Sequence, residues 1–169
     1  MQKILIIGSP GSGKSTLART LGGILNLPVV HLDKLFWLDN WVEKDKELFK
    51  QELLECLNKD KWIIDGCFIN TLPLRLEYCD HVILLNYPTL TCAFRVIKRV
   101  SQNKGQTRPD MGNNCPERFD FNFLKYVLTF KRKKLKKIKN TLKNCNAPIT
   151  EIKSNRELKA FLNSLNEQK

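Results

Sequence analysis

A glycine-rich stretch near the N-terminus, Gly8–Ser15, constrains the fold and the chemistry of this chain more than any other part of its sequence. It reads GSPGSGKS and fits the pattern G-x-x-x-x-G-K-[ST], between the apolar run Ile4–Ile7 and a helix-like run that starts at Thr16. Backbone N–H groups in such a loop turn inward around a polyphosphate, and the following helix adds the positive end of its dipole. Lys14 would then reach the β- and γ-phosphates, and the Ser15 hydroxyl would contact a bridging magnesium ion.

The motif predicts a nucleotide-binding set that covers the loop and the residue after it. The set is Gly8, Ser9, Pro10, Gly11, Ser12, Gly13, Lys14, Ser15 and Thr16. The alternative interpretation is a glycine-rich turn with a surface lysine. It requires a chance match to the motif together with a chance strand before it and a chance helix after it.

The length and composition fit one domain over residues 1–169. The chain has 169 residues, of which 42% are hydrophobic, so it can bury one core and is short for two ordinary domains. No apolar run approaches the roughly 18 residues of a membrane span, and the N-terminus has no signal-peptide pattern. We therefore expect a cytoplasmic protein that does not bind membranes.

The six cysteines form no C-x-x-C pair, which predicts free thiols, with disulfides as the alternative.

The excess positive charge is confined to one part of the chain. The net charge is +12, and residues 91–143 carry 15 Lys and Arg against three acidic residues, which accounts for the whole excess. Such a segment predicts an anionic partner: the phosphates of a nucleotide, a nucleic acid, or both.

Four further apolar runs predict the other strands of a parallel sheet. They are Val29–Leu32, Trp62–Ile64, His81–Leu85 and Pro148–Ile152. Asp33 and Asp65 follow the first two of these runs. Because ligands bind outside the carboxyl ends of parallel strands, both carboxylates should lie at the edge of the sheet that holds the phosphate loop.

The two strand-end carboxylates predict a metal site and an acceptor site. We expect Asp65 to hold a magnesium-bound water, with Gly66 letting the backbone bend towards the ligand; a turn aspartate is the alternative. Asp33 would hold the hydroxyl group of a phosphoryl acceptor or help to position magnesium, unless it is only a helix N-cap or turn carboxylate. His31 is expected to be packed rather than catalytic.

An aromatic cluster and an arginine predict the acceptor side of the site. Trp37, within the run Leu35–Leu38, would line an acceptor pocket or belong to a satellite core under a lid. Arg75, on a short helix expected over residues 70–78, is a candidate ligand for an anion on the acceptor. A surface arginine is the alternative.

Residues 103–119 are rich in Gly, Pro and Asn and predict a mobile lid. Its Arg108, Asp110 and Arg118 suit a lid that closes on the nucleotide and brings arginines to the transferring phosphoryl group. Arg95 and Arg99 lie four residues apart on the preceding helix, and they repel each other unless an anion sits between them. They are therefore candidate phosphate ligands, with a solvated helix face as the alternative.

The C-terminal part of the chain is expected to be helical around one short strand. A long helix over residues 121–144 would bury one apolar stripe and expose a basic face. The stripe comprises Leu124, Leu128, Leu135, Ile138 and Leu142. Ser154 and Glu157 form a capping box for the last helix.

Several motifs together resemble one family of P-loop proteins. They are Gly8–Ser15, His31–Asp33 with Phe36–Trp37 and Trp41–Val42, Trp62–Gly66, Gly105–Gly112 and Cys115–Arg118. The chain resembles the adenylate-kinase-like P-loop proteins and, within them, the topology modulation proteins related to the bacterial product FlaR. The resemblance covers almost the whole chain, and the lid and the Trp-rich loop are its most specific parts.

The resemblance implies a P-loop NTPase fold of the α/β class, with a five-stranded parallel sheet of strand order 2-3-1-4-5, helices on both faces and a short lid. It implies ATP and Mg²⁺ as ligands, Asp65 as the carboxylate of the metal site and Arg75 as an acceptor-side arginine. It also implies lid-side charges at Arg95, Arg99, Arg108 and Arg118.

One departure from the family pattern concerns Asn86, where related sequences often have Asp. A neutral amide cannot replace a carboxylate on magnesium, so a second carboxylate role would fall to Asp33 or Asp65.

Two functions compete at this point. The first is a kinase that transfers the γ-phosphoryl group of ATP to a small molecule or a nucleotide. Lys14, Arg108 and Arg118 would stabilise charge on that group, and Asp33 would orient the acceptor hydroxyl or accept its proton. The second is a nucleotide-dependent regulatory protein that binds nucleic acid through segment 91–143 and affects DNA topology. A P-loop GTPase is not expected, because the chain has no N-K-x-D signature.

Overall fold

A five-stranded parallel sheet forms the centre of the computed structural model, which describes residues 1–166. The strands in these residues are β1 (Lys3–Gly8), β2 (Val29–His31), β3 (Trp37–Leu38), β4 (Val42–Glu43), β5 (Trp62–Asp65), β6 (His81–Leu85) and β7 (Ile149–Ile152). The order across the sheet is β2-β5-β1-β6-β7, and all neighbours are parallel. Without the short strands β3 and β4 this is the predicted order 2-3-1-4-5. The end of the predicted domain, 167–169, lies outside the described residues.

Helices connect the strands and cover the sheet. They are α1 (Lys14–Leu25), α2 (Leu32–Phe36), α3 (Lys46–Leu57), α4 (Leu72–Tyr78), α5 (Thr89–Gln102), α6 (Phe121–Phe130), α7 (Lys136–Leu142) and α8 (Asn155–Asn166). One of the two bonds of the predicted capping box of α8 is present, since Glu157 N donates to Ser154 Oγ at 3.2 Å. The Glu157 carboxylate accepts from Lys153 N at 2.8 Å, one residue before the position that a capping box uses.

Both faces of the sheet carry helices because the central strand β1 is apolar on both sides. Ile4 and Ile6 pack with α1, α5 and α8 on one face, whereas Leu5 and Ile7 pack with α3, α4 and α7 on the other. These four side chains are at most 1% exposed. The strand that leads into the phosphate loop is therefore buried on both of its faces.

The strands β3 and β4 form a small antiparallel hairpin where the sequence predicts only a loop. Each strand has two residues, which is too short for a recognisable alternation of apolar and polar side chains. The turn between them holds Asn40 and Trp41 at positive φ, 59° and 64°. Asparagine is one of the few residue types other than glycine that adopts this conformation readily, whereas nothing in the local sequence indicates it at Trp41.

Helical structure covers most of the range predicted for the long helix, 121–144, but the predicted set of buried residues is partly wrong. A π-helical turn, Lys131–Leu135, joins α6 to α7. Val127 and Phe130 are buried, whereas Leu128, assigned to the stripe, is 47% exposed. In a regular helix Ile138 would be rotated by about 80° from Phe130, and the extra residue of a π turn removes most of that rotation. The turn thus keeps Phe130, Ile138 and Leu142 on one buried face.

The six cysteines are free thiols, as predicted. Among the helices of residues 1–166, none combines the length and the apolar character needed to cross a membrane.

Candidate active site

The phosphate loop joins β1 to α1 at the carboxyl edge of the sheet. Lys14 Nζ donates to Ser9 O at 3.0 Å, so the ammonium group lies across the loop. Gly11 has φ of 76°, and a side chain there would collide with the backbone of Cys92 in α5. Gly13 is the N-cap of α1 and makes no side-chain cap, which leaves the first N–H groups of the helix for a bound anion.

Asp65 ends β5 and links the phosphate loop to β2. Its Oδ2 accepts a hydrogen bond from Ser15 Oγ at 2.7 Å, and its Oδ1 lies 2.6 Å from His31 Nδ1. The sheet register explains the second contact, because His31 and Asp65 are paired residues of neighbouring strands. Their side chains are 12% and 3% exposed, respectively. His31 is packed, as expected, and it also fixes the orientation of the carboxylate that meets Ser15.

Asp33 lies in the first turn of α2, directly after β2, and lines the same cavity as Lys14. It is not the N-cap of this helix, because that position is occupied by His31. Burial raises the pKa of Asp33 above its ordinary value. The positive charge of Lys14 opposes this shift, and the negative charge of Asp65 adds to it. The carboxylate is therefore a stronger base than a solvent-exposed aspartate.

A cavity of about 920 Å³ brings most of the predicted site residues together. This is near the upper end of the range of about 300–1,000 Å³ that is usual for ligand sites. From the predicted set it is lined by Pro10, Gly11, Gly13, Lys14, Ser15, Thr16, Asp33, Trp37, Arg95, Arg99, Arg108 and Arg118. Four other residues of the predicted set lie in or next to the loop without lining the cavity: Gly8, Ser9, Ser12 and Asp65. Trp37 lies at the cavity, and its role in an acceptor pocket stays a prediction.

The segment 103–119 contributes two buried acids for which the sequence suggests no separate role. Glu117 Oε1 lies 3.1 Å from Arg99 Nε and 2.5 Å from Arg108 Nε. Arg108 Nη1 also pairs with Asp110 Oδ2 at 2.7 Å. Both carboxylate side chains are at most 6% exposed. The sequence signal for these ion pairs is the presence of two acids within a strongly basic segment, since a buried carboxylate needs cationic partners.

Arg95 and Arg99 each contact a different group of the protein, and their role as phosphate ligands stays a prediction. Arg95 Nη1 donates to Ser12 O of the phosphate loop at 3.2 Å, and its guanidinium lies 4.4 Å from the ring centroid of Tyr87. Arg99 instead pairs with Glu117. The repulsion between the two arginines is avoided because each one has a separate partner within the protein. Both still line the cavity.

The segment 103–119 packs against the β3–β4 hairpin. Trp41 Nε1 donates to Pro116 O at 3.2 Å. Gly112 lies so close to the carbonyl of Trp37 that an added Cβ would overlap it. The predicted lid and the Trp-rich loop therefore form one continuous wall of the cavity.

Replacement of Gly112 by alanine is expected to detach this wall. The added Cβ would overlap backbone of Trp37, which cannot move aside like a flexible side chain. We expect the free energy of unfolding to fall by about 1–3 kcal/mol, and proteolysis within 103–119 to become faster. Urea unfolding and limited proteolysis measure the two effects. Gly23→Ala is the matched control, because a Cβ there meets nothing within 4 Å. Equal stability of the two variants would contradict the contact.

Arg75 does not line the cavity, so its predicted role as an acceptor-side ligand is wrong, and so is the surface alternative. Its side chain is fully buried. The guanidinium donates to Gly66 O at 3.1 Å, to Phe68 O at 2.6 Å and to Thr71 O at 3.3 Å. Burial lowers the pKa of Arg75 to about 10, which keeps it charged at neutral pH. It ties the loop after β5 to α4, because the carbonyls of Gly66, Phe68 and Thr71 all accept from its guanidinium.

Asn86 follows β6 and turns away from the phosphate loop. Its Nδ2 donates to Glu151 Oε1 at 2.6 Å, and Lys139 Nζ donates to the same oxygen at 2.9 Å. An aspartate at position 86 would face the Glu151 carboxylate and be repelled by it. The amide at this position is therefore explained by its neighbour on β7.

The lysine-rich stretch 131–137 lies apart from the cavity. Arg132, Lys133, Lys136 and Lys137 are exposed, and no residue of the stretch is among the described residues that line the cavity. The predicted nucleic-acid interaction of segment 91–143 stays a prediction.

A protein-family model described as an AAA domain matches residues 4–120. The chain belongs to this AAA-domain family. The match includes the phosphate loop, both strand-end carboxylates and the segment 103–119. No curated protein matches the sequence.

Solved kinase structures share the fold of this AAA-domain protein. Shikimate kinase from Acinetobacter baumannii in complex with shikimate has a TM-score of 0.61 at 14% identity, covering 99% of this chain and 94% of that chain. Shikimate kinase from Bacteroides thetaiotaomicron has a TM-score of 0.58 at 17% identity, covering 98% and 96%. Deoxyadenosine kinase from M. mycoides with bound dATP has a TM-score of 0.56 at 16% identity, covering 96% and 98%. The AAA-domain chain therefore has a P-loop kinase-like fold.

Proposed function

We propose that the protein is an ATP-dependent phosphotransferase that moves the γ-phosphoryl group of ATP to a small hydroxyl compound or a nucleotide. The observation that carries the proposal is that Lys14, Ser15 and Asp33 meet in one cavity, a phosphate cradle beside a carboxylate base. The fold shared with shikimate kinase and deoxyadenosine kinase supports it. On the motifs given above, we assign the chain to the topology modulation group of adenylate-kinase-like proteins. We treat it as one cytoplasmic domain, with 103–119 as the lid.

The donor half of the site is the phosphate loop with the arginines behind it. The backbone of Gly8–Thr16 would bind the phosphates of ATP, with the helix dipole of α1 contributing to their attraction. Arg95 reaches the loop from α5, since its Nη1 donates to Ser12 O. Arg99 lines the same cavity. Both arginines would add positive charge next to the nucleotide.

A magnesium ion fits the donor half. Ser15 Oγ and the Asp65 carboxylate already lie 2.7 Å apart, and both are oxygen donors of the kind that Mg²⁺ prefers. No group of three or more His, Cys, Asp or Glu side chains in residues 1–166 is placed to hold a metal by itself. Ser15 and Asp65 would therefore hold the ion together with phosphate oxygens and water. When bound, the ion would neutralise charge on the β- and γ-phosphates.

The chain's own residues account for the remaining steps. Asp33 orients the acceptor hydroxyl and accepts its proton as the oxygen bonds to the γ-phosphorus. Lys14, Arg108 and Arg118 stabilise the negative charge of the transferring group. The guanidinium of Arg108 is fixed in position for this role by its ion pairs with two buried acids, Asp110 and Glu117.

The test of this function is ATP turnover against a panel of acceptors. ADP formation is measured with Mg²⁺ and each of several nucleosides, nucleoside monophosphates and small alcohols, with Lys14→Ala as the background. The proposal requires at least one acceptor to raise turnover far above that background. If every acceptor leaves turnover at the level of Lys14→Ala, the protein is not a kinase of this kind.

The rate is expected to fall on the acid side at a higher pH than an ordinary aspartate would give. Asp33 must be ionised to accept a proton, and burial raises its pKa, so kcat should decline as the pH falls through this raised value. The pH dependence of kcat for the native enzyme and for Asp33→Asn checks this. Protonation of ATP lowers the rate of both proteins at low pH. Only a decline in kcat that the native protein shows and Asp33→Asn lacks therefore reports on Asp33. Identical acid limbs would contradict the assignment.

A further inference from the structure

The two oxygens of the Asp65 carboxylate have separate partners. Oδ2 accepts from Ser15 Oγ at 2.7 Å on the side of the phosphate loop, and Oδ1 lies 2.6 Å from His31 Nδ1 on the side of β2. An ionised carboxylate only accepts hydrogen bonds, so Nδ1 is assigned as the protonated ring nitrogen. Hydrogen bonds to a charged oxygen are short and strong. Asp65 is thus anchored through one oxygen and faces the loop with the other.

The sheet holds the histidine against the aspartate. His31 and Asp65 are paired residues of the parallel strands β2 and β5, so their side chains leave the same face of the sheet next to each other. Both side chains are largely buried. β2 reads Val-Val-His, and His31 is its only side chain with a hydrogen-bonding group. A buried carboxylate needs polar partners, and His31 supplies the partner of Oδ1.

This arrangement limits how Asp65 can meet a metal ion. With Oδ1 bonded to the histidine, only Oδ2 faces the loop, where Ser15 and the nucleotide phosphates would add their own oxygens. Such a set suits Mg²⁺, which keeps several waters and takes one or two carboxylates together with phosphates. Ca²⁺ takes about 6–8 oxygens and often binds a carboxylate through both of them. The contact with His31 withholds that second oxygen.

We infer that His31 is a positioning residue that makes the site selective for Mg²⁺ over Ca²⁺, because it keeps Asp65 to a single metal-facing oxygen. The inference rests on the proposed nucleotide site and names the residue that determines which ion accompanies the nucleotide. Without the histidine, the carboxylate is free to turn about its Cβ–Cγ bond and to present both oxygens to the loop. Ca²⁺ gains from that change, whereas Mg²⁺ loses the fixed orientation of its ligand.

Binding of a non-hydrolysable ATP analogue tests the inference without any phosphoryl transfer. Its dissociation constant is measured by calorimetry for the full chain without metal, with Mg²⁺ and with Ca²⁺, and the strengthening that each ion gives is compared. We expect Mg²⁺ to strengthen binding more than Ca²⁺ in the native protein. In His31→Leu the strengthening by Mg²⁺ should fall by about 10- to 100-fold, the usual effect of losing a residue that orients a metal ligand. The strengthening by Ca²⁺ should be kept or should rise.

Two further variants separate ion selectivity from a general effect on the fold, which thermal unfolding checks. His31→Asn keeps a side-chain N–H group close to the position of Nδ1 and should restore most of the preference for Mg²⁺. His81→Leu removes the other histidine of the chain, at the start of β6, and should alter the effect of neither ion. The ring of His81 contacts Thr150 Oγ1 at 2.9 Å and does not line the cavity.

The outcomes distinguish this inference from the proposed function. A native protein that gains as much from Ca²⁺ as from Mg²⁺, equal losses of both effects in His31→Leu, or no loss at all would overturn the selective role alone. So would a loss that His31→Asn fails to restore. An analogue that does not bind the native protein with either ion would overturn the donor site, and the inference with it. Analogue binding without turnover of any acceptor would overturn only the kinase proposal.

Discussion

Replacement of Lys14 by alanine is expected to lower kcat for phosphoryl transfer by about 10²–10³-fold, the range observed when one charge-stabilising donor is lost. The negative charge of the transferring group spreads over its three outer oxygens in the transition state. Lys14 is the only cation of the loop Gly8–Ser15, and its Nζ already lies across the loop, 3.0 Å from Ser9 O. The ammonium group is thus positioned before the nucleotide binds, and no other loop residue can replace it.

Lys34→Ala is the matched control for this change. Lys34 is an exposed residue of α2 that does not line the cavity, so its loss removes one positive charge without touching the site. The kcat and the KM for ATP are measured for both variants, with thermal unfolding as a check of the fold. A Lys14→Ala protein that turns over ATP as fast as Lys34→Ala would contradict the role of the loop as the donor site.

The sheet and the placement of the phosphate loop between β1 and α1 could be predicted because they depend on local sequence. β1 is a continuous apolar run, and the loop motif that follows has a fixed relation to the strand before it and the helix after it. Asp65 could be placed because a residue at the end of a buried parallel strand must lie at the carboxyl edge of the sheet. The observed contact of Asp65 with Ser15 follows from that rule.

Arg75 shows where prediction from the sequence failed although a signal was present. Leu72 and Arg75 lie three residues apart and share one face of α4, and both are buried. The helical period therefore indicates an inward-facing arginine. An inward-facing arginine supplies a donor to the carbonyl of Gly66, at the point where the chain leaves β5.

The wall formed by residues 103–119 and the β3–β4 hairpin could not be predicted from local pattern. It depends on contacts between residues far apart in the chain, such as Trp41 with Pro116 and Gly112 with Trp37. Neither segment has a helical or strand period, so the sequence indicates a loop at both places and gives no register between them. Arg108 could be expected at the cavity, whereas its pairing with Asp110 and Glu117 required the structure.

Replacement of Asp33 by asparagine is expected to lower kcat by about 10²–10⁴-fold, the usual contribution of a positioned general base. Asparagine has the same shape and can still hold the acceptor hydroxyl by a hydrogen bond, but it cannot accept a proton at neutral pH. The KM for ATP should change little, because the proposed function assigns the donor phosphates to the loop and not to Asp33. Asp60→Asn, an exposed residue outside the cavity, is the control.

The stability of Asp33→Asn separates catalysis from folding. An acid whose pKa is raised in the folded state is harder to ionise there than in the unfolded chain, so its charge opposes folding at neutral pH. Removing that charge should leave the melting temperature unchanged or higher, and a fall in kcat cannot then be attributed to unfolding. If only the KM for the acceptor rises while kcat is kept, Asp33 orients the hydroxyl without taking its proton. If neither constant changes, Asp33 has no part in the acceptor site.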